Sequence, residues 1–267
     1  MAVTEEKRDR FRALHSEGCF VMPNPWDVGS ALALQSMGFA ALASTSAGMA
    51  WSMGKADNQV TLDDVLAHLR LLTARTTVPI NADFENAFAR EPEGVARNVA
   101  LAVETGVAGL SVEDSTGDAS DPLYAFDLAV ERIAAARAAI DGAGGGVMLT
   151  ARSEGFITGR PDLEETIRRL TAFADAGADC LYAPGLRAED QIVEVVKAVE
   201  PKPVNILTPA LTVATLAGLG VRRISVGGAL ARVAWGGFLA SAKEISESGT
   251  FDFSGGAPGG DLNRMFG

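Results

Sequence analysis

Histidine and cysteine are scarce in this 267-residue chain, which contains two of each. Cys19 and Cys180 lie far apart and belong to no CxxC or other metal-spaced cluster, so we expect two reduced, buried thiols. His15 and His68 lie in segments with helical periodicity rather than at the ends of apolar runs. The chain therefore has few of the residues from which a Ser-His-Asp triad or a zinc site is built.

Positive charge and long apolar runs are also in short supply. The 23 Lys and Arg residues face 34 Asp and Glu residues, which gives a formal net charge of −11. A nucleic-acid partner is disfavoured, because phosphate binding needs clustered basic residues. No apolar run approaches the roughly 20 residues of a membrane span, and the first ten residues lack the apolar core of a signal peptide. We therefore expect a cytoplasmic protein with no membrane partner.

A repeating alternation of strand-like and helix-like segments runs along the chain. Each short apolar run is followed by a stretch with helical periodicity. The eight runs are CFVMPNP, AALASTS, VPINADFE, GLSVEDS, VMLTARSE, CLYAPG, PVNIL and RISVGG. Such alternation implies parallel strands, and eight units favour an α/β fold of the closed (β/α)8 type, a TIM barrel. A doubly wound sheet is the alternative, but the GxGxxG fingerprint after the first strand is missing.

The alternation predicts a single barrel domain over residues 1–248. The glycine-rich segment at 141–146 interrupts the pattern without ending it, so it is a connection within the barrel. Residues 249–267 form a Gly-rich C-terminal tail with scattered phenylalanines. Two interpretations of the tail stay open, disorder and packing on a neighbouring subunit.

Acidic side chains gather where the chemistry of such a barrel is expected. Catalytic groups of (β/α)8 barrels come from the C-terminal ends of the strands. The polar residues that close the apolar runs include Asp83, Glu85, Glu113 and Arg152, and Asp57 follows the second run. Carboxylates gathered there would repel one another by on the order of several kcal/mol, and Arg152 supplies a single positive charge. A bound cation is therefore expected, and Mg²⁺, with Mn²⁺ as an option, suits hard oxygen ligands.

Small hydroxyl residues at the end of the second run indicate an anion site. Ser44, Thr45 and Ser46 lie in the segment ASTSAGM, where backbone N–H groups can approach a substrate carboxylate closely. The alternative is a small-residue turn that lets a helix pack on the barrel. Asn205, at the end of the seventh run, is a further candidate for contact with the ligand.

Taken in order, the segments ASTSAG, GKAD, NADFE, SVEDS and ARSEGF resemble the isocitrate lyase and phosphoenolpyruvate mutase superfamily. The resemblance runs from about residue 10 to about residue 240. It implies a barrel that exchanges a C-terminal helix between subunits, in a homodimer or homotetramer. It also implies a small 2-oxo acid as substrate and Mg²⁺ as cofactor.

The same resemblance implies roles for individual residues. Asp83 corresponds to the direct metal ligand, and Glu85 replaces the second acid of the usual DxD pair. Asp57 and Glu113 would hold metal-bound waters. The loop of Ser44, Thr45 and Ser46 would bind the substrate carboxylate through backbone N–H groups, and Arg152 would pair with enolate or carboxylate oxygens.

One loop departs from the superfamily pattern. The lyases carry a KKCGH-like stretch whose Cys serves as acid or base, whereas this chain has STGDASDPLYAF, without Cys, His or Lys. The Lys and the Asn-Ser pair of phosphonopyruvate mutases and hydrolases are absent from this gating loop as well. Isocitrate or methylisocitrate cleavage by the Cys route is therefore disfavoured. Ser115, Thr116 and Asp118 are the loop residues left to handle protons.

These observations predict a Mg²⁺-dependent lyase that cleaves a C–C bond of a small 2-oxo or 2-hydroxy dicarboxylate through a metal-stabilised enolate. Retro-aldol cleavage, retro-Claisen cleavage and oxaloacetate-type decarboxylation all fit, with Arg152, Glu113 and Asp57 as catalytic residues. Two alternatives stay open. One is phosphonopyruvate-type P–C chemistry, and the other is a protein that binds a 2-oxo acid with little catalysis.

Overall fold

The computed structural model describes residues 2–267 and confirms the (β/α)8 barrel. All the strand pairs are parallel, in the order β1-β8-β7-β6-β5-β4-β3-β2. Between the first two strands, the Ala43 N–H donates to the Pro23 carbonyl at 3.1 Å, so the barrel is nearly closed. The strands are β1 (Phe20–Met22), β2 (Leu42–Ala43), β3 (Ile80–Asp83), β4 (Gly109–Glu113), β5 (Met148–Arg152), β6 (Cys180–Tyr182), β7 (Val204–Ile206) and β8 (Arg223–Ser225).

Helices surround the strands, and several begin at side-chain caps that the sequence supplies. At α4 the Thr61 side chain accepts from the Asp64 N–H while the Asp64 side chain accepts from the Thr61 N–H, which satisfies two backbone donors. Asp162 caps α7 by accepting from the Glu165 N–H. The helices are α1 (Ala2–Leu14), α2 (Val28–Ser36), α3 (Ser46–Ser52), α4 (Leu62–Arg75), α5 (Pro92–Glu104), α6 (Phe126–Gly142), α7 (Leu163–Asp175), α8 (Glu189–Val199), α9 (Val213–Gly218), α10 (Ala229–Ser248) and α11 (Gly259–Phe266).

Side chains alternate between the two faces of the barrel strands. Leu110 and Val112 of β4 pack outward against the helices in the main hydrophobic core. Ser111 of the same strand faces the barrel interior, where it lines a cavity. The inward positions of the neighbouring strands carry further polar side chains, so the interior is polar towards the C-terminal ends of the strands: Asn81, Asp83, Arg152, Tyr182, Asn205, Arg223 and Ser225.

Helix α1 closes the N-terminal end of the barrel. Phe11 is fully buried and clusters with Met22 of β1, Met148 of β5 and Ala41, which directly precedes β2. A Cβ on Gly109 would stand 2.6 Å from the Phe11 ring, so glycine at this position permits the close approach. The opposite end, at the C-terminal ends of the strands, is left as the mouth.

The last two helices extend the chain beyond β8. The Gly-rich tail contains α11, which lies against α2 of the same chain. Helix α10 exposes large apolar side chains, with Val233, Phe238 and Leu239 at 73%, 60% and 58% exposure. Exchange of this helix between subunits stays a prediction. Within the described residues, no helix is both long and apolar enough to cross a membrane.

Truncation of Phe11 should weaken the barrel. We expect Phe11→Ala to lower the free energy of unfolding by about 3–5 kcal/mol, because it removes a fully buried ring and leaves a cavity beneath the strands. Val3→Ala is the control on the same helix, because Val3 is 67% exposed, and it should cost less than about 0.5 kcal/mol. Urea unfolding measures both. Equal midpoints for the two variants would contradict a sealing role for Phe11.

Candidate active site

A cavity of about 170 Å³ opens at the C-terminal ends of the strands. Its wall includes the loop of Ser44, Thr45 and Ser46 on one side and Gly227 and Gly228 on the other. Asp83, Arg152 and Asn205, all singled out from the sequence, line it together. The cavity is of a size for a small organic acid, and its position is where the barrel fold places chemistry.

Arg152 is the centre of the charged site. Its Nη1 lies 2.7 Å from Asp83 Oδ1, its Nη2 3.2 Å from Glu113 Oε2 and its Nε 2.9 Å from Glu154 Oε1. These three carboxylates engage three edges of the rigid guanidinium fork, which fixes its plane. Burial alone would lower the pKa of Arg152, but Glu154, Glu113 and Asp83 outweigh it and raise the pKa, so the group stays a cation.

Asp83 connects Arg152 to the hydroxyl loop. Its Oδ2 accepts from the Ser46 N–H at 3.0 Å and from the Ser46 hydroxyl at 3.1 Å. The Asp83 N–H in turn donates to Ser44 Oγ at 2.8 Å. Thr45 caps α3 through the Gly48 N–H. The predicted substrate loop is thus built against the predicted metal ligand, and Asp83 occupies the Ser46 N–H.

Four carboxyl groups of the site, those of Glu85, Glu113, Glu154 and Asp57, have raised pKa values because they lose solvent and lie near other negative charges. Burial, followed by repulsion from Asp83 and Asp57, raises the pKa of Glu85 to about 8. Burial also raises the pKa of Glu113 and Glu154, against the opposing effect of Arg152. Asp57, on the exposed loop between α3 and α4, has a pKa raised by partial loss of solvation and by repulsion from Asp83. The site therefore holds more carboxyl groups than one arginine neutralises, and Glu85 keeps its proton at neutral pH.

These residues fit a divalent cation. Glu85 Oε1 is buried and finds no hydrogen-bond partner within the described residues, and its backbone adopts a left-handed conformation, φ 48°, which bulky residues rarely occupy. An unpaired carboxylate oxygen beside Asp83 and Asp57 suits a hard cation. Within residues 2–267 no three His, Cys, Asp or Glu side chains stand close enough to ligate one ion together. An ion here would keep several waters, as Mg²⁺ does in proteins.

Asn205 belongs to a polar network deeper in the barrel. Its Oδ1 accepts from Arg223 Nε at 2.8 Å, and its Nδ2 donates to Ser225 Oγ at 2.9 Å. Arg223 also donates to Thr150 Oγ1 at 3.0 Å. Asn205 thus lines the cavity, as a ligand contact requires, but both ends of its amide are already held by protein groups.

The gating-loop residues lie apart from the cavity. Ser115, Thr116 and Asp118 are not among its lining residues. The Thr116 hydroxyl donates to the Asp121 carbonyl, and Asp118 accepts from the Ser120 N–H and hydroxyl. These bonds close the loop on itself. In this arrangement no proton-handling group of the loop reaches the site.

Three other positions have roles that the strand-end pattern alone did not assign. Asp114 lies outside the site, because it pairs with Arg169 at 3.1 Å and accepts from the Glu154 N–H at 2.8 Å. Glu154 joins the Arg152 cluster instead. Tyr182 lines the cavity, and its inward register, two residues after Cys180 on the same strand, is the signal that could have found it.

The fold and this strand-end site together define an enzyme of the (β/α)8 class with an acidic, arginine-centred pocket. The family model described as phosphoenolpyruvate phosphomutase matches residues 11–246. The chain belongs to this family, within the isocitrate lyase and phosphoenolpyruvate mutase superfamily.

Three relatives illustrate the range of that superfamily. A Burkholderia cenocepacia protein, provisionally named a lyase/mutase, is 48% identical with a TM-score of 0.96, and the match covers 100% of this chain and 97% of that one. The 2-methylisocitrate lyase of Escherichia coli is 30% identical over 64% of this chain and 59% of the lyase. An oxaloacetate acetylhydrolase, solved with its product oxalate, is 25% identical with a TM-score of 0.88, over 98% of this chain and 94% of that one.

The raised pKa of Glu85 predicts a pH-dependent stability in the metal-free protein. Below the ordinary pKa of 4.5, Glu85 is protonated in both the folded and the unfolded chain, and its contribution to stability is complete. As the pH rises from there through about 8, the unfolded chain loses the proton first and the contribution is lost. Glu85→Gln stays neutral, so we expect it to gain stability relative to the wild type over this range.

Urea unfolding in the presence of a chelator, at several pH values, measures this difference. Glu93→Gln is the matched control, because Glu93 lies exposed on α5 and its change should leave the pH profile of stability unaltered. A wild type and a Glu85→Gln variant with parallel profiles would show that Glu85 titrates normally.

Proposed function

We propose that this chain is a divalent-metal-dependent lyase that cleaves a C–C bond of a small 2-oxo or 2-hydroxy dicarboxylate. The observation that carries the proposal is the Arg152 guanidinium, held by Asp83, Glu113 and Glu154 beside a cavity of small-molecule size. The relatives named 2-methylisocitrate lyase and oxaloacetate acetylhydrolase support the same class of substrate.

Each part of the pocket has a task in such a reaction. A divalent cation at Asp83, with Glu85, Asp57 and Glu113 around it, would act as a Lewis acid on the 2-oxo group. The loop of Ser44, Thr45 and Ser46 orients the carboxylate next to that group. Arg152, fixed in plane and charged, stabilises the negative oxygen that develops when the C–C bond breaks.

Decarboxylation requires the fewest proton transfers among the possible cleavages. Retro-aldol cleavage needs a base to remove the hydroxyl proton of the 2-hydroxy dicarboxylate. Retro-Claisen cleavage needs an activated water molecule. Loss of CO₂ from a 2-oxo dicarboxylate needs only an acid for the enolate that remains. Because the gating loop offers no Cys, His or Lys and closes on itself, we place oxaloacetate-type decarboxylation first among the candidate reactions.

Replacement of the central acid tests the proposal. Asp83→Ala removes the carboxylate that meets both Arg152 and the hydroxyl loop, so we expect turnover with Mg²⁺ to fall by about a hundredfold to a thousandfold or more. Asp63→Ala is the control, because Asp63 is an exposed acid on α4. Product formation from a panel of 2-oxo and 2-hydroxy dicarboxylates measures both, with circular dichroism to verify folding. Undiminished turnover in a folded Asp83→Ala protein would rule the site out.

The same panel separates the competing chemistries. With phosphonopyruvate included, phosphorus NMR shows a changed signal only if a P–C bond is made or broken. A changed phosphorus signal with every dicarboxylate intact would replace our proposal by P–C chemistry. Tight binding of a 2-oxo acid without any product would replace it by a binding function.

We also propose that the chain forms a homodimer or homotetramer through the exposed apolar side chains of α10. Val233, Phe238 and Leu239 lie exposed there, and Phe251 and Phe253 of the tail are exposed as well, a combination that favours association. Light scattering should give a multiple of 27.7 kDa, and Phe238→Asp should shift the species towards the monomer. Val3→Asp, an equally polar change on the exposed side of α1, should leave the mass unchanged. A wild-type monomer would refute this assembly.

A further inference from the structure

A chain of hydrogen bonds crosses the barrel interior from α1 towards the cavity. Arg223 is 2% exposed and donates to the Thr150 hydroxyl, the Asn205 Oδ1 and, at 3.4 Å, to His15 Nε2. His15 Nδ1 lies 2.8 Å from the Phe11 carbonyl, which assigns the ring proton to Nδ1 and leaves Nε2 as the acceptor. Burial, followed by repulsion from Arg223, lowers the pKa of His15 to about 3, so the ring is neutral.

The donors of this hydrogen-bond chain all point from Arg223 towards the cavity. Arginine has no acceptor, so the Asn205 oxygen must face Arg223 and the Asn205 NH₂ must donate to Ser225 Oγ. The Ser225 hydroxyl, which still has its own hydrogen to donate, acts on the neighbouring phenol by hydrogen bonding and lowers the pKa of Tyr182, against the larger effect of burial. Tyr182 itself lines the cavity, where its hydroxyl can meet a bound ligand.

Tyr182 lies beside the charged centre of the site. It pairs in register with Arg152 across β5 and β6, is 7% exposed and lines the cavity. The Arg152 Cζ lies 5.3 Å from the centre of the Tyr182 ring. A phenolate formed here would be stabilised by that cation and by the Ser225 hydroxyl. In the resting state burial is the main cause that raises the pKa of Tyr182, to about 12, which keeps the phenol protonated.

The titratable side chains that line the cavity within the described residues are Asp83, Arg152, Tyr182 and Arg223. Asp83 is engaged as an acceptor by Arg152 and Ser46, and arginines do not release protons in proteins. Tyr182 is the member of this set that holds a proton it can deliver.

We propose that Tyr182 is the general acid that protonates the enolate carbon left after C–C cleavage. The inference rests on the proposed function, because that reaction generates the enolate. The electrons of the broken C–C bond become the enolate C=C pair, and this pair takes the proton of the Tyr182 O–H to form the new C–H bond. The phenolate that remains regains a proton from water when the product leaves. Tyr182 thereby supplies what the gating loop of this chain lacks.

The exchange of pyruvate methyl hydrogens for deuterium tests Tyr182 without any C–C cleavage, because the same enolate forms and is protonated. With Mg²⁺ in D₂O, proton NMR should show exchange by the wild type. Tyr182→Phe keeps the ring but removes the acid, so we expect exchange to fall by about a hundredfold or more. Calorimetric titration should give a pyruvate Kd within about twofold of the wild type. Tyr124→Phe is the matched control, since Tyr124 lies outside this cavity against Arg132.

Each outcome decides the assignment. Slow exchange with retained binding supports Tyr182, and an intermediate rate for Ser225→Ala adds support for the hydrogen-bond chain. Unchanged exchange in Tyr182→Phe, loss of pyruvate binding in that variant, or no exchange by the wild type would each overturn it. Failure of the proposed function is seen separately, as absence of cleavage of any dicarboxylate by the wild type.

Discussion

The structure of the mouth depends on the charge balance around one partly buried arginine. Arg152 is in contact with Asp83, Glu113 and Glu154, which come from three different strand ends. Carboxylates cannot be gathered this closely in a partly buried site without compensation, since their repulsion grows as water is excluded. The guanidinium provides part of that compensation. The raised pKa of Glu85 and its unpaired oxygen show that part of the repulsion between the carboxylates is still uncompensated. A divalent cation and an anionic substrate would complete the balance together.

Deeper in the barrel, a second arginine, Arg223, is buried and has no carboxylate partner among the described residues. The described residues around it supply neutral acceptors, from Thr150, Asn205 and His15. This arrangement couples the two ends of the barrel, because His15 belongs to the segment that closes the bottom while Asn205 reaches the cavity. A buried donor that satisfies its hydrogen bonds this way also fixes the orientation of every group along the path. The polar interior therefore serves positioning as well as packing.

Much of this molecule could be predicted from the sequence. The alternation of apolar runs and helical segments follows from the two periodicities of strands and helices, and eight such units gave the barrel. Asp83, Glu113 and Arg152 were found because parallel strands in a barrel end at one face, whatever lies between them in the chain. By contrast, Glu154 and Asp114 both close apolar runs, yet only Glu154 meets Arg152. Position at a strand end does not state which way a loop side chain turns.

The order of elements, the acidic mouth and the family resemblance were determined by the sequence alone, because periodicity and strand-end residues are local properties of the chain. The tertiary structure decided which side chains form hydrogen bonds and ion pairs with one another. It turned Ser115, Thr116 and Asp118 into a loop closed on itself and brought Tyr182 beside Arg152. It also ran a hydrogen-bond chain from α1 to the cavity, between residues about 200 positions apart. Hydrogen-bond direction and ion pairing depend on distances of a few ångströms between strands, and only the closed barrel sets those distances.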